Sequence, residues 1–103
     1  MIENVLSEPE SAAFQYEMIL EARRRPELQP IVRELYRKYV DRIAAGRLRD
    51  GAPVSEGLNL ALFAALDGLM LQYLGGSITV DRVADAIDSL AAAVNGVGAA
   101  VAD

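Results

Sequence analysis

The stretch Ser55–Leu74, SEGLNLALFAALDGLMLQYL, decides the fold. After Glu56 its only polar side chains are Asn59, Asp67 and Gln72. With about 3.6 residues per turn, Leu58, Leu62, Leu66, Leu69 and Tyr73 fall on one side of a helix. Leu60, Phe63, Met70, Leu71 and Leu74 fall across the others. A helix that is apolar all round must be covered all round. Ala61, Ala64, Ala65, Gly68 and Gln72 form a ridge of mostly small side chains, which lets a second helix approach closely. A chain of 103 residues has few elements with which to wrap such a helix. The pattern therefore predicts a homodimer with this ridge as its seam.

Working outward, Gly75-Gly76 ends the helix and Thr79 caps the next one, with Asp81 in its first turn. Val80, Val83, Ala84, Ile87, Leu90, Ala91 and Val94 form one apolar stripe. Asp81, Arg82, Asp85, Asp88 and Ser89 face away. Ile87, Leu90, Ala91 and Val94 are assigned to the dimer interface beside the ridge. Two helices from each of two chains make a four-helix interface with twofold symmetry. The tail from Asn95 to Asp103 is small and Gly-interrupted and is expected to fray.

Upstream, Gly46 to Pro53 reads as a loop, with Gly46 as the stop of the preceding helix and Leu48 plugging the loop onto the core. That preceding helix has an irregular first turn in Pro26-Glu27-Leu28-Gln29-Pro30. Leu28, Val32, Leu35, Tyr39 and Ile43 recur along it at spacings of three and four, widened by Ile31, Tyr36 and Val40. Arg33, Glu34, Arg37, Lys38, Asp41 and Arg42 cover its other side. The first helix opens at Ser7-Glu8-Pro9-Glu10, a capping box with Pro in the first turn. It runs to about Arg24 with Phe14, Met18 and Ala22 on one stripe, Ala12 and Ile19 beside them. Pro26 ends it. The fold class is thus all-α, an antiparallel bundle of four main helices in one domain spanning 1–103.

Composition narrows the function. The chain is 52% apolar, against about 45–50% for ordinary domains. It has no Cys and no His, which removes thiol chemistry, imidazole metal sites and the usual general base. No metal, no cofactor and no catalytic residue is assigned, and the chain does not read as an enzyme. A net charge of −5 opposes phosphate backbones, so no nucleic acid should bind this chain by itself. No uninterrupted apolar run of 18 residues and no signal peptide is present, so the expectation is a cytoplasmic protein without membrane contact.

An adaptable ligand pocket would draw on Phe14, Met18, Tyr36, Tyr39, Phe63, Met70 and Tyr73, residues that otherwise serve as ordinary core. Asp67 in mid-helix needs a partner: an Arg of another helix, a backbone group at the seam, or an effector. Arg23, Arg24 and Arg25 read as a cationic helix terminus. Glu3, Glu8, Glu10, Glu17 and Glu21 read as a solvated face.

The order of these features resembles the C-terminal domain of TetR-type transcriptional regulators. The matching stretches are Phe14 to Tyr39, FQYEMILEARRRPELQPIVRELYRKY, and Leu62 to Leu74, LFAALDGLMLQYL. The loop Gly46-Arg47-Leu48-Arg49 and the run Leu66-Asp67-Gly68-Leu69 with Gln72 belong to the same pattern. The resemblance covers roughly residues 10 to 95. It implies dimerisation through the last two long helices and a small apolar or aromatic effector held between helices. It also implies operator DNA bound by a separate N-terminal helix-turn-helix domain, which the chain does not contain. The other reading of the residues is a stand-alone helical dimerisation or protein-interaction module with no effector.

Overall fold

The computed structural model describes the backbone of residues 8–102 and the side chains of residues 8–95. Among the described residues the fold is all-helical: α1 (Pro9–Glu21), a 3-10 turn (Pro26–Leu28), α2 (Gln29–Arg49), α3 (Glu56–Leu74) and α4 (Val80–Ala102). α3 is the central helix, packing on α2 and on α4.

Local chemistry sets most boundaries. The Ser55 hydroxyl accepts from the Leu58 N–H at 3.3 Å and starts α3. Gly76, at φ +81°, ends it in the left-handed conformation that glycine adopts without strain. The Thr79 hydroxyl caps α4 by accepting from the Arg82 N–H at 3.3 Å, as its sequence position implies. Ser7 of the expected capping box lies outside the described residues. Glu8 holds the N-cap position of α1 without a side-chain bond.

Four expectations are corrected. α1 stops at Glu21, short of Arg24, in a turn closed by the Arg24 N–H on the Glu21 carbonyl. Arg23, Arg24 and Arg25 therefore stand in the connecting turn, exposed, with Arg25 paired to Glu27 at 2.9 Å. α2 continues through Gly46 to Arg49, because Ala44, Ala45, Arg47 and Leu48 are all good helix formers and carry one glycine. The left-handed turn falls instead at Gly51, φ +78°. Leu48, now on a helix rather than in a loop, is 67% exposed and plugs nothing. α4 runs on past Asn95 to Ala102, as the strong helix propensity of its alanines allows.

The core is small. Met70 is fully buried and Val83 nearly so, with Leu69, Tyr73, Leu74, Ile78 and Ile87 packed around them. Complete burial of one such side chain stabilises a fold by about 1.5–3 kcal/mol. Phe63 and Ala22 are the other buried apolar residues among those described. The molecule measures 48 × 31 × 19 Å. A helix with its side chains is about 10–12 Å across, so the thin dimension holds fewer than two full layers. No helix can be enclosed in a slab of that thickness. Accordingly the lone chain does not cover α3 on all sides. Leu60 and Leu71 are 59% and 53% exposed. Gly57, Ala61, Ala64, Gln72 and Gly75 are exposed on the same stripe.

By length and composition alone, α3 is apolar enough to cross a membrane, with a mean hydropathy of 1.3 over 18 residues. Asn59 and Asp67 interrupt its apolar run, which therefore falls short of 18 consecutive residues. Its packing on α2 and α4 and the hydrogen-bonded Asp67 at its middle make it the centre of the bundle.

Candidate ligand-binding cleft

α1, α2 and α3 converge on a cleft of about 130 Å³. α1 contributes Ala12, Gln15, Tyr16 and Ile19, which share one helix face at spacings of three and four. α2 contributes Leu35, Tyr36 and Tyr39, and α3 contributes Phe63 and Asp67. Glu8 and Ser11 form part of the rim. At its centre the Tyr16 hydroxyl donates to Asp67 Oδ1 at 2.6 Å and lies 3.2 Å from the Asp67 carbonyl oxygen. The Tyr36 hydroxyl donates to Asp67 Oδ2 at 3.3 Å. The Tyr39 hydroxyl donates to Gln15 Oε1 at 3.2 Å. Phe63 is stacked on Tyr39, with centroids 5.4 Å apart, and meets Tyr36 edge-on at 5.5 Å. Both are arrangements that aromatic quadrupoles favour. Arg42 lies over the Tyr39 ring at 5.7 Å but does not line the cleft.

Asp67 is thus held by neutral hydroxyls, with no arginine against it. One tyrosine serves each carboxylate oxygen, which answers the cost of placing that group on an apolar helix. The same contacts act back on the phenols. Burial, followed by the Asp67 hydrogen bond and charge, pushes Tyr16 far above its ordinary value of 10.0. Burial and then the Asp67 charge push Tyr36 up to about 12. A raised folded-state value means that the neutral phenols stabilise the fold fully below about pH 10. That contribution is lost as pH rises through 10 toward 12. In urea titrations the unfolding midpoint of the parent chain should fall steeply over this interval. Tyr16→Phe/Tyr36→Phe should flatten the fall. An equal slope in both proteins would contradict the coupling.

Of the seven pocket residues read from the sequence, Tyr36, Tyr39 and Phe63 meet in this cleft. The others do not join them. Met70 and Tyr73 belong to the core beside Val83. Phe14 is 67% exposed, and Met18 is half-buried away from the cleft lining. α1 is rotated relative to the stripe assigned to it, so that Tyr16 turns inward where Phe14 was expected. Tyr16 and Gln15 were missed. The available signal was the spacing of Ala12, Tyr16 and Ile19, together with Asp67's need for a donor.

The residues grouped for the dimer seam occupy two places. Ala61, Ala64 and Gln72 are exposed on the outer stripe of α3, with Ala65 and Gly68 half-buried at its edge. A Cβ built on Gly57 or Gly68 would meet nothing within 4 Å among the described residues. Ile87, Leu90, Ala91 and Val94 instead line an open groove between α2, α3 and α4, facing Leu62 and Leu66. Ile87 also touches the Met70–Val83 core.

Comparison with curated proteins and with solved structures gives no significant match. A family model described as "Tetracyclin repressor-like, C-terminal domain" matches residues 1–100. With nearly its whole length inside that match, the chain belongs to the family of tetracycline repressor-like C-terminal domains.

Proposed function

We propose that this domain binds a small molecule and dimerises on behalf of a TetR-like transcriptional repressor, operator contact being left to a separate N-terminal domain. The reading places the protein in the cytoplasm. Family membership supports it. The observation that carries it is the position of α3. One flank of this helix supplies Phe63 and Asp67 to the cleft. The neighbouring stripe, with exposed Leu60, Ala64 and Leu71 and half-buried Gly68, is uncharged. Gly68 is informative here. A mid-helix glycine costs about 0.5–1 kcal/mol relative to alanine, and no atom of the described residues requires one there. A second helix packed closely across the stripe supplies a reason. Ligand entering the cleft presses on the same helix that meets the partner, so its binding free energy can bias the spacing of the two subunits.

A thermal-shift screen of small organic compounds, followed by light scattering on the hits, tests both halves. The expected result is a particle of two chains and at least one compound that raises the melting temperature. Phe63→Ala should abolish that rise. A monomer at tens of micromolar, or no shift across the library, would refute the corresponding half. The second reading, a dimerisation module without an effector, draws on the fact that both Asp67 oxygens already have partners.

A further inference from the structure

Among the residues lining the cleft there are two carboxylates, Asp67 and Glu8, and no arginine or lysine. The chain carries ten Lys and Arg in all. Two of those on α2 are engaged elsewhere: Arg37 clamps Glu34 and Asp41 on the outer surface, and Arg42 lies against the Tyr39 ring outside the cleft. The groups that hold Asp67 are phenols, which carry no charge and leave its negative charge uncompensated. Each of its oxygens has one tyrosine donor, while a carboxylate oxygen can accept from two. The remaining walls are aromatic rings, aliphatic carbon and the uncharged side chains of Ser11 and Gln15, and aromatic faces attract cations. An anion entering here would meet negative charge and no donor stronger than a phenol. A neutral ligand would leave the charge unanswered in a half-buried site.

We propose that the cleft takes a compact organic cation, a quaternary or protonated amine, with Asp67 as its counter-ion and Tyr16, Tyr36 and Phe63 as its apolar walls. This rests on the effector-binding reading and adds the ligand's charge and size to it. The volume of about 130 Å³ is close to the roughly 150 Å³ cavity that accommodates a benzene-sized guest. Choline is of that scale.

Choline and its uncharged isostere dimethylbutanol, in which carbon replaces the quaternary nitrogen, are suitable probes for calorimetric titration against the intact chain at low salt. Choline should bind at least tenfold more tightly than the isostere, a gap of about 1.4 kcal/mol. Asp67→Asn should erase that preference. Because Asp67→Asn disturbs two hydrogen bonds, Ser11→Lys provides a second variant. It adds a positive charge beside the cleft without replacing Asp67 or either of its tyrosine donors, and should weaken choline far more than the isostere. Equal binding of the two probes, or a preference for choline that survives both variants, overturns the cation assignment. So does failure of both probes to bind. If the isostere or another neutral compound binds and Phe63→Ala abolishes its binding, the effector reading stands and the charge assignment alone falls.

Discussion

Ala64→Arg should convert a particle of twice 11.1 kDa into one of 11.1 kDa. Ala64 sits mid-way along the exposed stripe of α3, flanked by Leu60, Ala61, Gly68 and Leu71. In a twofold interface every substitution occurs twice, and a stripe central to the contact brings the two copies near each other. Two guanidinium groups there face one another with no carboxylate on the stripe to answer them. Juxtaposed like charges at an interface cost several kcal/mol, and about 4 kcal/mol weakens dimerisation roughly a thousandfold. The substitution leaves the helix itself undisturbed, since Ala64 is exposed and arginine is a good helix former, so any loss of helix on dilution comes from losing the partner. Light scattering across a concentration series reads the outcome. Gly68→Ala offers a test of sign. In an unpartnered chain it stabilises, because nothing lies within 4 Å of the new methyl. With a second helix packed close, it loosens the pair. An unchanged dimer in Ala64→Arg would remove α3 from the interface.

Asp67→Ala should lower the stability of the chain by about 2–3 kcal/mol at neutral pH. Hydrogen bonds to a charged acceptor contribute about 1.5–3 kcal/mol each, and the lower part of that range applies because the cleft is partly open to water. Two phenols then lose their acceptor, Tyr16 at 2.6 Å and Tyr36 at 3.3 Å. Propensity works the other way, since alanine is the better helix former, so the loss cannot come from the backbone. The partners should show non-additivity. Removing Tyr16's hydroxyl together with the carboxylate leaves fewer orphaned groups than removing the carboxylate alone. Asp67→Ala/Tyr16→Phe should therefore be less destabilised than the sum of the two single variants, with urea unfolding as the measurement. Strict additivity would mean that the 2.6 Å contact contributes little.

The helices themselves were legible because their periodicity is set by burial and their ends by a few special residues. Thr79, Gly76 and Pro26 each act through local backbone chemistry, and local chemistry is written in order along the chain. Gly46 misled for the same reason. A glycine is a stop only where the neighbours do not favour continuation, and Ala44, Ala45, Arg47 and Leu48 do. The cleft was legible in part. Tyr36, Tyr39 and Phe63 lie on strongly patterned faces of α2 and α3. Tyr16 does not, because α1 carries apolar residues around much of its circumference. Phe14, Met18, Ile19 and Leu20 leave its inward direction undetermined until α2 and α3 are in place. Asp67 announced that it needed a partner, but an apolar helix says nothing of which donor will come. The rotation of α1 is settled by packing between distant segments, and no single window of sequence contains it.

The thinness of the slab bears on how this protein comes to exist in folded form at all. With so little hydrocarbon kept to itself, the chain would draw part of its cohesion from the second copy proposed to lie across α3. In a dimer of that kind, acquiring shape and acquiring company would be coupled steps of one reaction. The balance between ordered and unravelled molecules acquires a dependence on how many copies share the solution. Dilution would act on such a molecule much as a denaturant does.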